Sequence, residues 1–195
     1  MTVGARDSLR LDALRALRGI VRLIRFNPGW REDFQLDHQG FYRSFFAQIL
    51  RLPLLLLFNY TLILALGEKV VPAVLWQVVI AAVIAVFLYL AISLVAVRLL
   101  KLKNWAAYIT LLNWGDFGFS LVIAALSALT LAGAAGLTSV RILWLVVVIP
   151  LQIMFIWRAA QETMGTDVSA TVLMVVLNIA TSVVSDQLAS LILPA

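Results

Sequence analysis

Two carboxylates lie inside long apolar stretches of this sequence. Asp116 stands near the middle of the third apolar run, and Asp186 stands in the second half of the fifth. A charge at the centre of a bilayer costs at least about 2.5–3.5 kcal/mol, so such a residue normally faces a protein-lined interior and marks an ion, proton or substrate pathway. Asp116 and Asp186 are therefore the first candidate site residues.

Two arginines are candidate partners for these aspartates. Arg141 begins the fourth run, and a snorkelling arginine there reaches the expected depth of Asp186, so Asp186–Arg141 is the first predicted pair. Arg51 lies near the start of the first run. If that helix begins at Ser44, Arg51 is about 10 Å and Asp116 about 18 Å from the same end of the bundle, which predicts a strained Asp116–Arg51 pair.

Amide side chains accompany both aspartates. Asn113 precedes Asp116 by almost one turn, and Asn178 begins a polar side of the fifth run that leads to Asp186. Polar faces of this kind point into a helix bundle rather than toward lipid. Three roles are open for these groups: they tie helices together, they relay protons or carry a solute, or they form an interface with another membrane subunit.

An aspartate dyad that activates water is a further alternative. The intramembrane aspartyl proteases carry a Gly-x-Gly-Asp motif, and the corresponding stretch here, residues 113–116, lacks the first glycine. The two aspartates also differ in expected depth by roughly 7 Å. The chain has no cysteine and one histidine, His38 in a polar stretch, so thiolate chemistry and the common zinc motifs are excluded. We expect no enzyme activity, no cofactor and no metal site.

The elements that must position these residues follow from composition. Of the 195 residues, 63% are apolar and 13% are charged, against roughly 45–50% and about 25% in soluble domains. Five apolar runs each exceed the about 20 residues that a membrane-spanning helix needs. The sequence predicts an all-α integral membrane bundle over residues 44–195, with sequential helices as antiparallel neighbours because the connectors are short. The predicted spans are 44–66, 71–97, 105–131, 137–157 and 169–193.

Residues 1–43 are predicted to be a basic tail. A helix over about residues 12–25 has Arg15, Arg18, Arg22 and Arg25 on one face and aliphatic side chains on the other. This pattern is typical of an interfacial helix whose arginines bind anionic lipid headgroups. The alternative is a helix packed on the protein's own loops. Nucleic acid is not expected as a partner, since the basic face lacks a reading motif.

The distribution of basic residues predicts the orientation. With a cytoplasmic N-terminus, twelve of the 15 Lys and Arg residues fall on the inner side, whereas Lys69 and Arg141 fall outside. The positive-inside rule therefore predicts an N-in, C-out protein with five spans. We expect it in the inner membrane of a bacterium.

The layout resembles the Yip1-type family of five-helix membrane proteins. The likeness runs from about Tyr42 to the C-terminus. Residues 40–45 leading to Pro53 are similar to the start of the first span in bacterial members, and residues 158–170 are similar to the connector before their last span. The resemblance implies a cytoplasmic N-terminal segment and five closely spaced spans.

Two hypotheses for function follow. The first is a non-enzymatic membrane protein that organises lipids or partner membrane proteins; assembly with such a partner and homo-oligomerisation are both open. The second is a small transporter or proton-coupled carrier that uses Asp116 and Asp186. A water-accessible cavity at Asp116 favours the second, and a dry, fully paired Asp116 favours the first.

Overall fold

The computed structural model describes residues 5–65 and 71–192, and these ranges are almost entirely helical. A 3₁₀ turn at Pro28–Asp33 follows the first helix, and a π-helical turn at Trp144–Val148 joins two others. Leu66, Lys69 and Leu193, which the predictions include, lie outside the described residues. The helices are α1 Ala5–Ile24, α2 His38–Ala65, α3 Pro72–Leu99, α4 Trp105–Leu131, α5 Leu137–Leu143, α6 Ile149–Met164 and α7 Val168–Ile192.

Five helical units in the described ranges are long and apolar enough to cross a membrane: α2, α3, α4, α5 continued through α6, and α7. The all-α prediction is confirmed, and the third span has the predicted bounds. Two ends differ. The first span begins at His38 instead of Ser44, because the Asp37 carboxylate accepts the Gly40 N–H and starts the helix early. The fourth continues past Trp157 to Met164.

The five units form a closed ring. The most extensive contacts join α2 to α4 and α3 to α7. α6 touches both α4 and α7, and α2 meets α3 over a shorter stretch, which completes the ring. The prediction that sequential helices are neighbours holds only in part for α3 and α4, whose backbones approach each other over a short stretch, because α4 packs mainly against α2 and α6.

The fourth span changes its helical winding midway. Pro150 has no N–H to donate to the carbonyl four residues earlier, and the π turn Trp144–Val148 lies just before it. Trp144 and Gln152, on either side of this irregular stretch, both line the interior of the ring.

Glycines on α4 allow close helix approach. A Cβ added at Gly115 would overlap the ring of Phe155 on α6, and one added at Gly118 would overlap Ile20 of α1. Phe155 is almost fully buried and has little room to move. Gly115 therefore sets the distance between α4 and α6.

We expect Gly115→Ala to lower stability by roughly 1–3 kcal/mol, because the added methyl group overpacks the α4–α6 contact. Thermal unfolding in mild detergent measures the effect, and Phe155→Leu should restore part of the loss. Gly136→Ala is the control, since Gly136 has open space around it and a negative φ. Equal melting temperatures for the two glycine variants would contradict this assignment.

α1 packs against α4 and α6, with Ile20 at Gly118 near the middle of α4. Ala16, Ile20 and Leu23 are buried in that contact, whereas Leu14 and Val21 are exposed. Part of the apolar side of α1 is therefore buried against the bundle, and part of it is exposed. This agrees in part with the alternative of a helix packed on the protein itself, and an interfacial position in a membrane stays a prediction.

Candidate functional site: a polar cavity inside the helix ring

Arg51 and Asp116 form an ion pair between α2 and α4, with Nη1 of Arg51 3.1 Å from Oδ2 of Asp116. The expectation of strain is wrong because it assumed a late start of α2. Counted from His38, Arg51 is about 20 Å along α2, and Asp116 is about 17 Å along α4. The two helices start level with each other, so the side chains meet directly.

Gln48 completes the pair and was missed in the sequence. Its amide nitrogen donates to Oδ2 of Asp116 at 3.1 Å and to Oδ1 of Asn113 at 3.0 Å. Its amide oxygen accepts from Nη1 of Arg51 at 3.2 Å. Asn113 is buried and donates to the hydroxyl of Ser44 at 2.8 Å. The sequence spacing could have indicated this contact, since Gln48 precedes Arg51 by three residues and therefore lies on the same helix face.

The ion pair faces a cavity of about 330 Å³ that is lined by all five spanning units. Ala81, Ala82 and Ala85 of α3 leave room for it. Polar side chains come from the other four units. They are Arg51 and Asn59 of α2, Asp116 and Ser120 of α4, Gln152 of α6, and Ser182 and Asp186 of α7.

A smaller cavity of about 70 Å³ adjoins this space and shares Arg51, Asp116 and Gln152 with it. Asn178, the second predicted amide, lines the smaller cavity beside Tyr89. The structure therefore brings together Arg51, Asp116, Asn113, Asn178 and Asp186 around one connected polar interior.

Several polar groups that line the cavity make no side-chain hydrogen bond to the described residues. Ser120 is only 4% exposed, yet its hydroxyl makes no hydrogen bond within the described ranges. Ser127 and Thr130 on the same helix instead donate to the carbonyls of Ile123 and Leu126, four residues back. Gln152 and Asp186 also make no side-chain hydrogen bond to the described part of the chain. The cavity thus offers free donors and acceptors to whatever occupies it.

Two tyrosines close the ring on the side where α4 begins. The hydroxyls of Tyr89 and Tyr108 lie 2.7 Å apart, and both side chains are buried. Below them, Nε1 of Trp105 donates to the hydroxyl of Ser93 at 3.0 Å. These contacts join α3 to α4 near the start of α4.

The predicted Asp186–Arg141 pair is absent from the described structure. Arg141 is exposed and lines a different pocket, beside Phe58 and Thr61. Its helix, α5, packs on α4, whereas α7 is contacted by α6. The prediction was wrong because equal depth along two helices does not determine which side of each helix a side chain occupies.

The four arginines of α1 are not equivalent. Arg18 and Arg22 bind the two oxygens of Asp33 at 2.5 Å and 3.0 Å, and that carboxylate is fully buried. Arg15 and Arg25 are exposed and have no ion pair among the described residues. These two remain the stronger candidates for lipid headgroups, whereas Arg18 and Arg22 hold α1 on the turn that follows it.

A second ion pair anchors α1 to α2. Asp12 lies 2.5 Å from Nη2 of Arg43. Burial raises the pKa of the Asp12 carboxyl, while the guanidinium groups of Arg43 and Arg15 act in the opposite direction. The helix is therefore held by charge at both ends.

The chain was compared with protein-family models, curated proteins and solved structures. No family model, no curated protein and no solved structure matches it. The Yip1-type resemblance stays a prediction. In the part of the chain that is described, no group of three His, Asp or Glu residues could hold a metal ion.

Proposed function

We propose that the protein is a small membrane carrier that takes a polar solute into the cavity within its helix ring. The observation that supports this is the Arg51–Asp116 pair on the cavity wall, where the two side chains remain 23% and 24% exposed. A pair that only tied two helices together would be expected to be enclosed by protein. Here the pair is accessible from a space that all five spanning units surround.

The energetics favour an occupied cavity. An unpaired polar group in a water-free interior costs about 1–3 kcal/mol, and the buried hydroxyl of Ser120 would carry that cost in a dry cavity. A volume of about 330 Å³ accommodates roughly ten waters at about 30 Å³ each, or a small solute in their place. The cavity is therefore proposed to be hydrated and to exchange its water for the solute.

Within this proposal the two aspartates have different tasks. Asp116, bound by Arg51 and Gln48, orients the guanidinium at the solute site. Asp186 forms no hydrogen bond or ion pair with the described residues and is the proposed proton acceptor that couples transport to a proton gradient. Because Asp116 is held by a cation, the two carboxylates are not arranged to share a proton as in a catalytic dyad, which supports a non-enzymatic function. The orientation proposed is N-in, C-out in a bacterial inner membrane.

Cysteine labelling tests the hydrated cavity in a chain that has no native cysteine. We expect Ser182→Cys in proteoliposomes to react with a membrane-impermeant thiol reagent about tenfold faster than Val183→Cys, because only a hydrated thiol ionises. Ser182 lines the cavity, and Val183 is its exposed apolar neighbour on the next position of α7. Equally slow labelling of both variants would mean a dry interior and would refute the carrier proposal.

The second candidate is a protein that organises lipids or partner proteins. Exposed basic residues near the start of α4 favour it, namely Arg98, Lys101 and Lys103 together with Arg15 and Arg25 of α1. Extraction of the protein from its host in native lipid discs, followed by mass measurement, tests this candidate. A second protein in fixed stoichiometry would support it, and a single species would favour the carrier.

A further inference from the structure

An apolar groove of about 210 Å³ opens on the outside of the ring between α2 and α3. Ile49 and Leu52 form one wall, and Val83 and Phe87 form the other. Among the described residues, the contact between α2 and α3 is the least extensive one between neighbouring helices of the ring. The groove therefore lies where hydrocarbon chains of a surrounding bilayer would reach the wall of the cavity.

The groove and the polar cavity adjoin each other and have lining residues in common. Arg51, Leu55 and Ala82 line both of them. Gln48 lines the groove and the smaller cavity. The combined space has an apolar half that faces outward and a polar half inside the ring, and the Arg51 guanidinium lies at their boundary.

The guanidinium of Arg51 has capacity to bind a further acceptor. Nη1 donates hydrogen bonds to the amide oxygen of Gln48 and to Oδ2 of Asp116. Nε is buried and has no hydrogen-bond partner in the described residues. A guanidinium edge of this kind binds carboxylate or phosphate oxygens with two parallel hydrogen bonds.

We propose that the solute is a membrane amphiphile with an oxyanionic headgroup and an acyl chain. The headgroup binds Arg51 inside the cavity, and the chain stays in the α2–α3 groove. This inference rests on the proposed carrier function and specifies its substrate class.

The groove explains how such a molecule could use a polar cavity. Moving an acyl chain out of an apolar environment costs about 0.8 kcal/mol for each CH₂ group. A closed ring would impose that cost on the whole chain, whereas a groove joined to the cavity at Arg51 lets the headgroup enter while the chain remains among apolar side chains. A free polar anion would need the cavity but not the groove.

Photocrosslinking tests the inference with the full chain in phosphatidylethanolamine nanodiscs. The probe is phosphatidylglycerol with a diazirine on one acyl chain, and crosslinked peptides are mapped by mass spectrometry. In the unmodified protein we expect crosslinks to be concentrated at the groove residues. In Val83→Trp the crosslinking of these residues should fall to the level of the other lipid-facing surface. Val95→Trp is the matched control, because Val95 is also exposed on α3, at 56% against 46% for Val83, but does not line the groove.

A headgroup contact is tested separately. In the neutral pair Arg51→Gln with Asp116→Asn, groove crosslinking by the phosphatidylglycerol probe should fall about tenfold, as expected for the loss of hydrogen bonds to a charged group. A diazirine diacylglycerol lacks the oxyanion. Its groove crosslinking should be low in the unmodified protein and similar in the neutral variant. If Arg51→Gln with Asp116→Asn does not fold, Arg51→Lys, which keeps the charge but loses the planar edge, serves in its place with the same expected direction.

The outcomes separate this inference from the carrier proposal. Uniform crosslinking around the ring, with Ser182→Cys still reactive, overturns the amphiphile and leaves a carrier of a wholly polar solute. Equal groove crosslinking by both probes overturns the headgroup contact at Arg51. An unreactive Ser182→Cys overturns the carrier proposal and this inference with it.

Discussion

Removing one member of the Arg51–Asp116 pair should destabilise the protein by about 3 kcal/mol, the lower end of the range for a buried pair. Arg51→Met leaves the Asp116 carboxylate facing Gln48 alone, and Asp116→Leu leaves an uncompensated guanidinium between α2 and α4. The lower end applies because both side chains keep about a quarter of their exposure toward the cavity. Unfolding by sodium dodecyl sulfate in mixed micelles, followed by circular dichroism, measures the loss.

The double variant, Arg51→Met with Asp116→Leu, should recover most of that loss, since neither charge is then left unpaired. Such coupling is the signature of a direct interaction. Arg141→Met is the control for removing an arginine from a spanning unit, because Arg141 is exposed and has no ion pair among the described residues. If the losses of the two single variants simply add in the double variant, the pair contributes nothing through its own contact.

Replacing Asp33 should release α1 from the bundle. Asp33→Asn removes the buried carboxylate that Arg18 and Arg22 share, and hydrogen bonds to charged groups contribute about 1.5–3 kcal/mol. We expect a loss of about 2 kcal/mol in the local stability of α1, since both arginines are partly exposed, which corresponds to roughly 30-fold faster amide hydrogen exchange along the helix.

Glu32→Gln provides the control for this experiment. Glu32 is adjacent to Asp33 but exposed, and it forms no ion pair within the described ranges. Unchanged exchange in Asp33→Asn would mean that Ala16, Ile20 and Leu23 hold α1 by apolar contact alone. Ile20 packs at Gly118, two residues from Asp116 on α4. Release of α1 would therefore remove packing from the helix that carries the ion pair.

The helices themselves could be predicted from local sequence properties. Long apolar runs bounded by charged or turn-forming residues identify spanning helices, because in hydrocarbon a chain must satisfy its backbone hydrogen bonds internally. Trp105–Leu131 was predicted to the residue. The early start of α2 was missed because His38, Gln39 and Arg43 interrupt the apolar pattern before Ser44, and polar residues extend a helix outside the apolar zone without any hydropathy signal. Asp37, the residue that starts this helix, was visible in the sequence but was not used.

The sequence alone also singled out Asp116 and Arg51, because an ionisable residue in an apolar run is expensive wherever the helix lies. Which charges meet was decided only by the tertiary structure. Helix periodicity gives depth along an axis, but partners depend on which helices are neighbours and how each is rotated. For that reason Asp186 and Arg141, at similar expected depth, lie on different pockets, whereas Arg51 meets Asp116 across the α2–α4 contact. The cavity likewise exists only because five helices close a ring, an arrangement that no single run of residues encodes.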